Sequence, residues 1–84
     1  MGRSTRHRPQ KLAEKLQKIR ENLGLSMSQL VSQIESEEIP LYKADISKYE
    51  AGLREPPLVI LLRYARLGKV SVESIIDDDL EIKR

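Results

Sequence analysis

Charged side chains carry most of the chemistry available to this chain. Fifteen Lys/Arg, thirteen Asp/Glu and one His are spread over 84 residues, and there is no Cys. Thiolate nucleophiles, disulfides and thiolate metal sites are therefore excluded. His7 alone makes no zinc site of the usual kind and takes no role. No nucleophile–base pair and no phosphate-cradling glycine loop is evident, and Asp77, Asp78 and Asp79 read as like charges solvated at a helix end rather than as a metal cluster. An enzyme is not expected, and neither a metal nor a cofactor is implied. The charges point instead to a polyanion. Residues 1–24 hold seven Lys/Arg against Glu14 and Glu21, whereas residues 25–40 hold only Glu35, Glu37 and Glu38. Residues 41–69 hold six basic groups against three acidic, and residues 70–84 two against five. A net charge of +2 thus conceals basic and acidic faces, and the basic one is a candidate polyanion footprint. With no Phe, no Trp and three Tyr, aromatic platforms for single-stranded nucleic acid are not expected.

The elements that would position these charges are helical. Met1 to Arg8 has no periodic apolar pattern and reads as a flexible basic arm. Pro9 suits a first helical turn, and Leu12, Leu16, Ile19 and Leu23 then form one apolar stripe. Lys11, Glu14, Lys15, Lys18 and Glu21 fall on the other side, and Gly24 stops the helix. Ser26 to Gln29 has the form of a capping box, with Ser28 as a competing cap, and predicts a short helix over Met27 to Ile34. Pro40 bars a continuous helix, so a third is expected from Leu41 to Ala51 with Gly52 as its stop. Ile46, Tyr49 and Tyr42 are expected inward there. After the Arg54–Pro57 turn, a stripe of Leu58, Leu61, Leu62 and Ala65 predicts a fourth helix ending at Gly68. Ser71 caps a fifth, from Val72 to about Asp77, burying Val72, Ile75 and Ile76. Asp78 to Arg84 is an acidic tail in which Leu80 and Ile82 are the residues able to dock. The expectation is all-α: one five-helix domain over residues 9–77 and no strand. Its longest apolar run, Leu58 to Leu62, is too short to span a membrane, and the N-terminus lacks the apolar core of a signal peptide.

The order of these signals is specific. Ile19-Arg20-x-x-Leu23-Gly24-Leu25-Ser26, Gln29-Leu30, Ile46-Ser47-x-Tyr49-Glu50-x-Gly52-x-Arg54-x-Pro56 and Val72-Glu-Ser-Ile-Ile76 follow one another from about Lys11 to Asp77. This constellation resembles the phage-repressor/Cro-type (XRE-like) helix-turn-helix DNA-binding family. The resemblance implies that the third helix enters the major groove and that Lys43, Ala44, Ser47 and Lys48 meet base edges. Lys can donate to guanine O6/N7, Ser can donate or accept, and Ala can touch a thymine methyl. It also implies phosphate contacts from Ser28 and Gln29 at the start of the second helix, and from Gly52 and Arg54 after the third. Arg20 and Glu50 match an interhelical ion pair of the family, a structural role. Arg3, Arg6 and Arg8 form an arm that either follows the minor groove or is a solubilising tail.

Two departures from the family pattern stand out. Met27 occupies the position where the family often carries a phosphate-bracing Gln. Ile34 and Ile46 are twelve residues apart, where the common form has seven, so Glu35 to Ile39 lengthen the turn between helices 2 and 3. Their negative charge implies that they face away from DNA, as an extension of helix 2 or as a loop. The function implied is a sequence-specific double-stranded DNA-binding regulator, a repressor acting as a homodimer in a bacterial or phage cytoplasm. The alternative is a protein–protein module or antitoxin of the same fold, partnered by a protein such as a toxin, with weak or no DNA binding.

Overall fold

A computed structural model describes residues 9–82. Arg3, Arg6, Arg8 and His7, with Lys83 and Arg84, lie outside these described residues. Among the described residues there are five helices and no strand: α1 Leu12–Asn22, α2 Met27–Ile34, α3 Lys43–Glu50, α4 Leu58–Gly68 and α5 Val72–Ile76. The longest, α1 and α4, have 11 residues each, and no helix among the described residues is long and apolar enough to cross a membrane. α1 packs on α3, α4 and α5, and α4 also packs on α2 and α5. The shared core runs through Leu16, Ile19, Leu30, Ile34, Ile46, Ile60, Tyr64 and Ile75, all at most 2% exposed.

Several expectations are corrected by tertiary contacts. α1 begins at Leu12, so Pro9 precedes the helix rather than opening it. The reason is a cap supplied from the far end of the chain: the Gln10 and Lys11 N–H groups donate to the two carboxylate oxygens of Asp78, at 2.8 and 3.0 Å. Asp78 is therefore not merely solvated, and Ile82 beyond it is buried at 4% exposure. Lys15 leaves the polar side where periodicity put it and is 5% exposed. Its Nζ donates to the carbonyls of Ser74 and Asp77, at 2.9 and 2.6 Å. Ser74 lies in α5 and Asp77 is its C-cap, and a cation is favourable beside carbonyls at the C-terminal end of a helix. Leu23 is 38% exposed, because α1 ends at Asn22 before Leu23 can continue the stripe.

α4 buries a different face from the one expected. Ile60, Leu61, Tyr64 and Ala65 are inside, whereas Leu58 is 80% and Leu62 37% exposed. Five consecutive aliphatic residues contain no phase of their own, and packing against α1 and α2 selects the inner two. Gly68 closes α4 from within, and the left-handed stop is Lys69, at φ 58°. A Cβ at Gly68 would meet Ile19 Cγ2 at 2.8 Å, so glycine here permits close approach of α4 to α1. Ile76 is likewise more exposed than expected, at 42%, leaving Ile75 as the buried residue of α5.

Tyr64 lies at the centre, fully buried, and its hydroxyl has no hydrogen-bond partner among the described residues. Burial, reinforced by the Glu50 carboxylate, pushes this phenol well above the ordinary tyrosine range. The unfolded chain releases that proton near pH 10 while the folded chain retains it, so stability falls as pH rises beyond 10. Tyr64→Phe should be neutral or stabilising by about 1 kcal/mol at pH 7, because an unpaired buried hydroxyl is removed. Above pH 10 it should lessen the alkaline loss by up to about 1.4 kcal/mol per pH unit. Urea denaturation at neutral and alkaline pH measures both effects.

Candidate nucleic-acid interface

α3 begins later than expected, and this reorients its first residues. Tyr42 is the N-cap, in extended conformation at φ −125° and ψ 158°. Side chains alternate along extended chain, so Leu41 turns inward at 3% exposure and Tyr42 outward at 67%. The expectation that Tyr42 joins the inner face is thereby corrected. The Asp45 carboxylate accepts the Tyr42 N–H at 2.9 Å, a reach back across the first turn. Ile46 and Tyr49 anchor the inner face at 0% and 2% exposure. Opposite them Lys43, Ala44, Ser47 and Lys48 are all exposed. Helical spacing gathers these four on one flank, clear of the protein's own chain.

The loop after α3 adds a third cation. Gly52 takes a positive φ of 77° and its N–H donates to the Tyr49 carbonyl at 3.2 Å, while the Leu53 N–H donates to Lys48 O at 3.0 Å. The Gly52 N–H is thus engaged in closing α3, and the polar group this loop offers outward is Arg54. Its guanidinium donates to Asp45 at 3.2 Å and lies 5.8 Å from the centre of the Tyr49 ring, with half its side chain exposed. Burial also raises the Tyr49 phenol, an effect that Arg54 opposes.

At α2 the capping box is complete. Ser26 Oγ accepts the Gln29 N–H at 3.1 Å, and Gln29 Oε1 accepts the Ser26 N–H at 2.8 Å. The Gln29 side chain is therefore engaged in its own helix. The earlier N–H groups of Met27 and Ser28 are donors that the helix cannot use, and the helix dipole adds partial positive charge.

Arg20 and Glu50 meet in a two-point ion pair, Nε–Oε2 at 2.7 Å and Nη2–Oε1 at 2.9 Å. Arg20 Nη1 also donates to the Leu25 carbonyl at 3.0 Å. One guanidinium thus ties the end of α1, the turn before α2 and the end of α3. The bond to Glu50 raises the Arg20 pKa, against the opposing effect of burial. Both carboxylates of α3 are compensated internally, Glu50 by Arg20 and Asp45 by Arg54 and the Tyr42 N–H. The outer face of α3 consequently presents the charge of Lys43 and Lys48.

Glu35 to Ile39 form a loop, not an extension of α2. Ser36 and Ile39 close it with reciprocal backbone bonds of 3.3 and 3.1 Å, and Ile39 packs on the core. Glu37 and Glu38 are exposed. Arg63 Nη1 donates to the Ile34 carbonyl at 2.8 Å, ending α2 from the side of α4. Arg63 and Asp45 are the contributors that sequence reasoning missed. Asp45, three residues after the cap, carried a signal in its spacing; Arg63 carried none.

Comparison of the chain with family models, curated proteins and solved structures returned no match.

Proposed function

We propose that this chain binds double-stranded DNA sequence-specifically and regulates transcription. In this reading α2 and α3 act as a helix-turn-helix with a lengthened turn. α3 enters the major groove, and two copies read a pseudo-palindromic site with half-sites about 34 Å apart. The observation that carries it is the outer flank of α3. Lys43, Ala44, Ser47 and Lys48 are exposed together, while each acidic group of the helix is neutralised from behind. Lysine and serine read base edges, and alanine lets the helix approach closely. The Met27 and Ser28 N–H groups and Arg54 would hold phosphates to either side, fixing register without reading sequence. The reading places the protein in a bacterial or phage-infected cytoplasm, acting as a repressor by occupying its site.

A labelled random-sequence duplex titrated at several salt concentrations tests the reading. Binding should be tight at low salt and should weaken as a power of salt concentration, since counterions are released from phosphates. A protein–protein module, favoured by the acidic 35–39 loop and the engaged Gln29 side chain, would not bind the duplex even at low salt. Arg54→Ala should weaken binding to all sequences alike and reduce the salt slope by about 1. Because the substitution also exposes the Asp45 charge, adding Asp45→Asn should recover part of the loss.

A further inference from the structure

α5 and the segment after it hold to the rest of the fold by few apolar contacts. α5 has five residues, too few to sustain a helix by itself, and Ile75 is its one buried side chain. Among the residues described beyond it Ile82 alone is buried, while Asp79, Leu80 and Glu81 are exposed. Burial this slight leaves much of the attachment to polar bonds, and those bonds gather on the first turns of α1.

The bonds run in both directions. Asp78 gives a carboxylate to the start of α1, accepting the Gln10 and Lys11 N–H groups. α1 gives a cation to the end of α5, where Lys15 Nζ donates to the Ser74 and Asp77 carbonyls. Each charge stands at the helix end whose dipole favours it, the anion at an N-terminus and the cation at a C-terminus. On α1 the two sites share a turn, for the Lys15 N–H donates to Lys11 O at 3.0 Å. On the other side Asp77 and Asp78 are neighbours. The Asp77 carbonyl and carboxylate also accept the Leu80 and Asp79 N–H groups, at 3.0 and 2.9 Å. A movement that parts Asp78 from α1 therefore carries Asp77 away from Lys15, and the two contacts are made or lost together. The same stretch of α1 bears on the loop after α3. Ala13 Cβ lies 3.7 Å from where a Cβ of Gly52 would stand, and Pro9, Gln10 and Ala13 line one hollow with Gly52 and Arg54.

We propose that Asp77 to Ile82 form a clasp that opens as one unit with the start of α1, while α2, α3 and α4 stay folded, and that its opening loosens the Gly52–Arg54 loop. The clasp thereby couples the C-terminal segment to the loop that carries Arg54, and its opening does not depend on DNA. Amide exchange of the ¹⁵N-labelled full chain without DNA, in water and in low urea, tests it. Lys11, Asp77 and Leu80 should exchange through one shared opening, roughly tenfold more frequent than that of Tyr49 and Tyr64. That opening should also respond less to urea, because it exposes less surface. Asp78→Ala should speed exchange at Asp77 roughly tenfold, although the Asp77 N–H donates to Glu73 O and not to the substituted side chain. Lys15→Met, which keeps an apolar stem, should speed Lys11 by a similar factor. Gly52 and Leu53 should accelerate in both variants, and the two substitutions together should do little more than either alone. An effect of Asp78→Ala confined to Gln10 and Lys11 would reduce the contact to a local cap and overturn the proposal. So would acceleration of Tyr49 and Tyr64 by the same factor as Asp77, since no separate unit then exists. Unchanged Gly52 and Leu53 would overturn the link to the Arg54 loop. Where a variant fails to fold, the wild type decides: Lys11, Asp77 and Leu80 opening separately, with different urea responses, would equally overturn the clasp.

Discussion

Glu50→Ala should lower the unfolding free energy by about 3 kcal/mol, the largest effect expected of any polar substitution in this chain. The Glu50 side chain is 5% exposed and that of Arg20 15%. Removing the carboxylate leaves a guanidinium largely out of water, with only the Leu25 carbonyl as partner. Losing one member of a buried pair typically costs about 3–5 kcal/mol, and the residual exposure of Arg20 places this case at the lower end. A domain of this size has roughly 5 kcal/mol in total, so the variant should be close to unfolding at room temperature. Arg20→Lys should cost less, about 1–2 kcal/mol, because an ammonium keeps the charge but not the planar two-point contact. Replacing both residues by apolar ones, Arg20→Met with Glu50→Leu, should recover much of the loss, since no charge is then stranded. Urea denaturation of the four proteins decides the point. A loss below about 1 kcal/mol for Glu50→Ala would mean that the pair behaves as a surface salt bridge.

Lys43→Ala with Lys48→Ala should separate recognition from folding. Both side chains are exposed, so stability should change by no more than about 0.5 kcal/mol. Lys43 opens α3, where a cation opposes the helix dipole, so any change from that residue should be slightly favourable. Affinity for a preferred duplex, recovered by selection from a random pool, should fall by a factor of roughly 10² to 10³, at about 1–3 kcal/mol for each good base contact. Affinity for random duplex should fall far less. Equal losses on both would assign the lysines to phosphates, and no loss on either would remove α3 from the DNA.

Much of this arrangement is legible in local sequence, and what is not has a physical cause. The Ser26–Gln29 box is a contact within four residues, and it forms as its spacing implies. Ile46 and Tyr49 share a helical face, so Lys43, Ala44, Ser47 and Lys48 must share the other. Lys15 is different: it lies three residues after Leu12 and beside Leu16, on the edge of the apolar stripe, and its charge disguised a position whose partners are the carbonyls of α5. Asp78 caps a helix that begins 66 residues earlier, a pairing with no local trace. Leu41 and Tyr42 exchanged places because α3 starts at Lys43, and one residue of boundary reverses direction in extended chain. The aliphatic run Leu58 to Leu62 left the phase of α4 open, and tertiary packing settled it.

Amide shifts of the ¹⁵N-labelled chain on adding a duplex at low salt test the DNA-binding surface most directly. The largest changes should fall on Met27 and Ser28, on Lys43 to Lys48 and on Arg54, while Val72 to Ile82 stay put. Shifts concentrated on the 35–39 loop or the C-terminal segment, or none at all at low salt, would contradict the assignment of α3 as the reading helix.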